Sequence, residues 1–184
     1  MEIFVIVLLV LVVAVGVWFV VAYNGLVTRR NRVDNAWGQV EVQLKRRYDL
    51  VPNLVETVKG YASHERQTFE DVINARNAAA AAQGPQQQAA AENALSGALR
   101  QLFALSEAYP QLRASENFAS LQSQLTETEN KIAISRQIYN DTVLTYNTKV
   151  QTVPSNVVAG LTGFTTREYF EAPPEADVAP RVQF

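Results

Sequence analysis

The 184-residue chain contains no cysteine, which removes disulfides, thiol nucleophiles and cysteine-ligated metals together. Its one histidine is His64, in the run His64-Glu65-Arg66-Gln67-Thr68. A zinc-protease helix needs a second histidine four positions on, where Thr68 stands, and di-iron bundles need Glu-x-x-His on two helices, which never occurs here. Gly160-Leu161-Thr162-Gly163 is too short for a phosphate loop and follows no strand pattern. Catalytic, cofactor-binding and metal roles therefore fall to no residue, and the chain is expected to be non-enzymatic. A net charge of −2 leaves no broad basic surface, so nucleic acid is not expected as a partner. Glycine and proline, 8 and 7 in number, fall mainly at joints and leave long uninterrupted segments. That is the profile of an all-α chain.

Charge is also absent from Ile3 to Ala22, and this absence organises the rest. Twenty apolar positions at roughly 1.5 Å each span about 30 Å as a helix, the thickness of a bilayer core. A cleavable signal peptide would need a basic start, a shorter apolar stretch and a small-x-small exit. The chain instead starts Met1-Glu2 and leaves the run through Val21-Ala22-Tyr23-Asn24. The reading is a single transmembrane helix in the cell membrane. Arg29, Arg30 and Arg32 follow it closely and nothing basic precedes it, so the positive-inside rule puts the N-terminus outside and the bulk in the cytoplasm.

Beyond the anchor, apolar residues recur at Val33, Trp37, Val40, Leu44 and Tyr48, an amphipathic helical stripe that can continue straight from the membrane helix. Pro52 lacks a backbone donor and restricts Val51, while Asp49 is a sound N-cap. The sequence predicts a tight helix-to-helix reversal at Tyr48 to Asn53, with a kink in one continuous helix as the alternative. A second stripe runs Val51, Val55, Val58, Ala62, Glu65, Phe69, Val72, Arg76, with the alternating steps of a bundle seam. Its two charged members either sit at the edge, the commoner arrangement, or are buried and paired.

The alanine–glutamine tract from Ala78 to Ala91, broken by Gly84-Pro85, reads as a bundle end that needs no bulky core residues. A third helix takes shape at Leu95, Leu99, Leu102, Phe103 and Leu105, and Pro110 stops it after Glu107 and Tyr109. Ser115 caps a fourth of about 35 residues, down to Val153-Pro154. Its seam holds Thr128, Ser135 and Thr142, small positions suited to close approach or to bonding ions from another helix. Val157 to Phe164, then Tyr169-Phe170, form a short apolar segment expected to dock on a neighbouring bundle or dip into lipid. Glu171 to Phe184 is proline-rich and acidic and, alone, should be disordered.

Charged and polar groups gather at joints and seams: Arg47, Tyr48, Asp49 and Pro52 at the first break, Glu65 and Arg76, Glu107, Tyr109 and Pro110, Glu129 and Arg136. With Gly163, Phe164, Tyr169 and Phe170 they are the candidate structural and interaction residues, read as devices that fix helix register.

These residues carry a resemblance to the LemA family of membrane-anchored bacterial and archaeal proteins. It rests on Arg47-Tyr48-Asp49-Leu50-Val51-Pro52-Asn53-Leu54, on His64-Glu65 and Ala75-Arg76, and on Glu107-Ala108-Tyr109-Pro110. Glu129 with Arg136, Tyr146-Asn147 and Gly163-Phe164 extend it over nearly the whole chain. The resemblance implies one N-terminal span, an antiparallel four-helix bundle and no established enzyme activity. A related branch is associated with the formation of magnetosome membranes. The expected layout is an anchor over residues 1–25, a four-helix bundle over 26–153, and the apolar segment with its acidic tail over 154–184. Expected partners are the lipid bilayer, further copies of the chain as a homo-oligomer, and another membrane protein; no cofactor is expected. Two functions follow: a scaffold that organises or shapes membrane, or a monomeric adaptor that binds another protein in envelope signalling or quality control.

Overall fold

Nothing but Pro52 opposes a helix between Glu2 and Lys59, and the computed structural model, which describes residues 1–170, has one helix over that whole stretch. This is α1, Glu2–Lys59. It is followed by α2 (Arg66–Ala81), α3 (Gly84–Glu107), the single turn α4 (Pro110–Arg113), α5 (Glu116–Gln151) and α6 (Ser155–Thr162). The described residues contain no strand. They fall into two compact units through which α1 and α5 both pass. The acidic tail read from the sequence lies outside the described residues.

The first unit holds Met1–Gly38 and Ile138–Arg167. From Ile3 to Val21 the large apolar side chains of α1 are exposed, apart from the half-buried Phe19; burial starts at Ala22 and recurs at Leu26, Val33 and Ala36. Against that stripe α5 brings Tyr139, Val143 and Tyr146, spaced four and three, and α6 brings Val158 and Ala159. Trp37 meets Tyr139 at 5.2 Å between ring centroids. Gly163, at φ 75°, ends α6 in the left-handed region that favours glycine. The Phe164 N–H then bonds the Ala159 carbonyl at 3.0 Å. The chain beyond is pinned through its backbone. Tyr146 Oη donates to the Thr165 carbonyl at 2.9 Å, and the Asn147 amide both donates to and accepts from Arg167, at 2.9 and 2.8 Å.

The second unit holds Gln39–Gln137 and, of the described residues beyond Arg167, positions 168–170. Four helical stretches share its core: Val40, Leu44, Val51, Leu54 and Val58 from α1, Phe69 and Val72 from α2, Leu95, Leu99 and Leu102 from α3, Phe118, Leu125 and Ile132 from α5. Each such side chain contributes about 1.5–3 kcal/mol through burial. This is an all-α helical bundle, with short connections that set sequential helices antiparallel. Ser115 Oγ accepts the Phe118 N–H at 3.4 Å at the start of α5, the cap expected there.

The reversal expected at Tyr48 to Asn53 does not occur. The helix continues through Pro52 to Lys59, and the chain turns at Gly60 to Glu65 instead, where the Tyr61 and Ala62 N–H groups both bond the Val58 carbonyl at 2.9 Å. A proline inside a helix orphans the carbonyl four residues back, here that of Tyr48. Arg76 Nε, on α2, donates to that carbonyl at 3.2 Å. Tertiary structure supplies the missing donor, so the helix need not stop.

A coupling follows. Pro52→Ala is expected to stabilise the bundle by about 1–3 kcal/mol by restoring a main-chain bond. Arg76→Met should cost about 1–2 kcal/mol in the native chain and only a few tenths in the P52A background. Urea unfolding of the four proteins of this cycle measures it, and an equal cost of R76M in both backgrounds would refute the role.

Candidate functional site

The core of the second unit is mostly apolar, and at one level all four helices send in polar groups. Arg47 is 2% exposed and Glu92 6%. Arg47 Nη1 donates to Glu92 Oε2 at 2.6 Å, and its Nη2 reaches Ser96 Oγ at 2.7 Å and Glu129 Oε1 at 2.8 Å. Tyr48 Oη donates to the other Glu92 oxygen. Gln88 Nε2 lies 2.7 Å from Tyr48 Oη, 3.0 Å from Glu92 Oε1 and 3.0 Å from the Ala79 carbonyl near the end of α2. Arg76 comes from α2 to the Tyr48 carbonyl. Two helical turns beyond Glu129, α5 adds Arg136, its guanidinium 4.8 Å from the Phe170 ring centre.

Placement follows from spacing. The buried residues of α3 are Gln88, Glu92, Leu95, Leu99, Leu102 and Ser106, with Ala89 beside them, in steps of four and three. The polar pair continues the leucine stripe backwards onto the same face. On α1, Arg47 and Tyr48 stand between the apolar turns of Leu44 and Val51.

The electrostatics are those of a partly buried cluster of mixed charge. Arg47 and Arg136 face Glu92 and Glu129, and Arg76 adds a third cation at the Tyr48 carbonyl. Burial, then the adjoining Glu92 carboxylate, pushes the Tyr48 phenol far above the ordinary tyrosine range, so it stays a donor at every physiological pH. Desolvation raises Glu129 against the pull of Arg47, and burial lowers Arg136 against the pull of Glu92 and Glu129. The raised Glu129 favours the folded state most at acid pH, and that contribution is lost as pH rises through its folded value.

Tyrosine gives a sharper test. Unfolded Tyr48 loses its proton near 10.0 while the folded phenol keeps it, so the native state binds the extra proton above that pH. Stability is full below pH 10 and falls as pH rises, by about 1.4 kcal/mol per pH unit for one group. Tyr146, raised chiefly by burial, adds in the same direction. Denaturant titrations from pH 9 to 11 should show this slope (a range on the order of the tyrosine titration), and Tyr48→Phe should lower it by one proton. An undiminished slope in Y48F would count against the buried phenol.

Of the candidate residues, the structure joins Arg47, Tyr48, Arg76 and Glu129 in this cluster, with Pro52 one turn beyond Tyr48 and Arg136 facing the carboxylates. Asp49 and Glu107 are exposed; Glu65 precedes α2 and makes no side-chain cap bond. Tyr109 is half-buried and Pro110 opens α4. Gly163 is the left-handed cap of α6. Phe164 is buried in the first unit, edge-on to Tyr23 at 5.7 Å and under Arg30 at 5.3 Å. Tyr169 is half-buried and Phe170 fully buried. Phe164 and Phe170 are thus not free to dock elsewhere, because their own chain covers them. Sequence reasoning missed Gln88, Glu92 and Ser96. Gln88 falls inside the tract read as an inert bundle end, and the signal was its four-residue spacing to Glu92 ahead of Leu95 and Leu99. The α5 hydroxyls also differ from expectation: Thr128 and Thr142 bond the carbonyls four residues back, at 2.7 Å each, the local partner a helical threonine reaches first.

Beside the cluster a cleft of about 380 Å³ opens between α3 and α5, lined by Arg47, Ser96, Leu99, Phe103, Leu125 and Glu129 among others. Among the described residues, no group of three or more His, Asp or Glu is placed to hold a metal ion. The site is a cluster of ionic and hydrogen-bonded side chains from four helices, buried at Arg47 and Glu92 and partly exposed at Glu129.

A helical bundle carrying one helix long and apolar enough to cross a membrane is the class of protein these features define. The family model described as the LemA family matches residues 36–184, and the chain belongs to that family. It is 28% identical over 192 aligned positions to magnetosome protein MamQ 2 of Paramagnetospirillum magneticum, covering 90% of this chain and 71% of that protein. It is 26% identical to magnetosome protein MamQ of Magnetospirillum gryphiswaldense, over 84% of this chain and 66% of that one. To protein LemA of Metamycoplasma hominis it is 24% identical, over 80% and 69%.

Proposed function

We propose that this protein is a non-enzymatic helical bundle, held in a membrane by residues 3–21, that self-assembles into a scaffold organising or shaping that membrane. The observation that carries this reading is the course of α1. From Ile3 to Val21 its side chains are apolar and nearly all exposed, and the same helix then enters the protein core without a break. Exposed apolar surface of that extent is stable only in lipid. The arginines that follow support an orientation with the bundle in the cytoplasm, by the positive-inside rule. Anchoring many copies on one surface raises their effective concentration and favours lateral contacts too weak to form in solution. Along α5, Ile134, Ile138 and Leu144 are exposed and available for such contacts. The likeness to proteins named for the magnetosome fits a role in membrane organisation.

The cleft between α3 and α5 favours a second reading, an adaptor that seats another protein's helix or peptide against Leu99, Phe103 and Leu125. Crosslinking in intact cells separates the two. A ladder of self-multiples is expected for the scaffold, whereas a single adduct with one foreign protein and no ladder would replace it with the adaptor.

A further inference from the structure

The surface of the first unit has a second apolar feature besides the exposed stretch of α1. On α6, Val158 and Ala159 are buried while Val157 and Leu161, one turn apart, are 56% and 74% exposed, and Val153 in the turn before is 81% exposed. An eight-residue helix that turns two large aliphatic side chains outward gains nothing from water, which leaves the question of what meets them.

Position answers it. Phe164, two residues past the end of α6, touches Tyr23 on one side and Arg30 on the other. Tyr23 stands two residues after Val21, where the exposed apolar stretch of α1 ends. At 1.5 Å per residue Phe164 therefore lies within about 10–14 Å of that end. The headgroup layer adds roughly 5–8 Å on each side of the hydrocarbon core, so Tyr23, about 3 Å past that end, lies within it, and Phe164 packs on Tyr23 at the depth where amphipathic helices bury an apolar edge. Charge agrees: Arg29, Arg30 and Arg32 follow Tyr23 closely on α1. Basic groups near an anionic surface gain about 1 kcal/mol each. The backbone bonds from Tyr146 and Asn147 to Thr165 and Arg167 fix the segment that holds α6 in place.

We infer that α6 is an interfacial helix whose Val157 and Leu161 enter an anionic phospholipid surface beside the membrane span, giving the protein a second contact with lipid. The inference rests on residues 3–21 spanning the membrane. Two contacts in place of one fix the rotation of this unit about the span.

The absence of native cysteine makes the test clean. Single nitroxide labels are placed at V157C, L161C, L9C in the span, and T145C, an exposed residue of the same unit. The full chain is reconstituted in phosphatidylcholine–phosphatidylglycerol vesicles, and accessibility to oxygen and to a water-soluble nickel chelate is measured. V157C and L161C are expected to show an oxygen-to-nickel ratio several-fold above that of T145C, between it and L9C. A ratio equal to that of T145C, with L9C lipid-like, overturns the interfacial helix and leaves the span intact. Labels at 157 and 161 shielded from both reagents mean that protein covers the face, which also overturns it. A water-like L9C overturns the span, and the inference with it.

Discussion

Replacing Arg47 with alanine is expected to destabilise the bundle by about 3–5 kcal/mol, a large share of the 5–15 kcal/mol that holds a typical domain folded. The cost is not the worth of one ion pair. It arises because Glu92, itself nearly inaccessible, would lose its hydrogen-bonded cation, and because Ser96 and Glu129 lose the same partner. For a chain of this length the melting temperature should fall by roughly 6–20 °C, read by circular dichroism of the intact chain in detergent. R47M combined with E92M should recover most of the loss, since two apolar groups of similar volume need no counter-charge. A fall below about 1 kcal/mol in R47A would match a surface salt bridge and defeat the buried pair.

The second large effect is expected at the span. L9R together with V13R should move the chain out of the carbonate-resistant membrane fraction. An arginine at mid-helix costs about 2.5–3.5 kcal/mol, and each replaced residue forfeits its own −0.3 to −0.6, so the pair removes about 6–8 kcal/mol. That offsets the whole favourable sum of the apolar stretch. Leu9 and Val13 are exposed, so their replacement should leave the bundle folded. V42R, on an exposed position of the second unit, should stay with the membrane. Retention of L9R/V13R in the carbonate-washed pellet at native levels would mean that residues 3–21 do not hold the protein there.

Helix existence was legible almost throughout, because periodicity and proline placement are local. The stop at Gly84-Pro85, the stop before Pro110 and the cap at Ser115 each appear where the residues say. The one misplaced break, at Pro52, shows why local rules fail. Proline ends a helix when its orphaned carbonyl has no other donor, and whether one exists depends on Arg76, twenty-four positions away in sequence and on another helix. The cluster was half visible for the same reason. Arg47, Tyr48, Arg76 and Glu129 stand out as polar groups on apolar stripes. Gln88 and Glu92 lie in and beside low-complexity sequence, where composition masks the stripe they continue.

The sequence by itself determined that the chain is all-α, where most of its helices lie, that one of them is apolar enough for a bilayer, and that chemistry depending on thiols or paired histidines is absent. These follow from residue type, spacing and absence, properties that need no partner. Tertiary structure alone decided where the chain first turns, which carboxylate meets Arg47, and that Phe164 and Phe170 are covered by their own chain. Each of those outcomes depends on a donor, a counter-charge or an apolar surface brought from a distant segment, and a linear pattern does not encode which segment arrives.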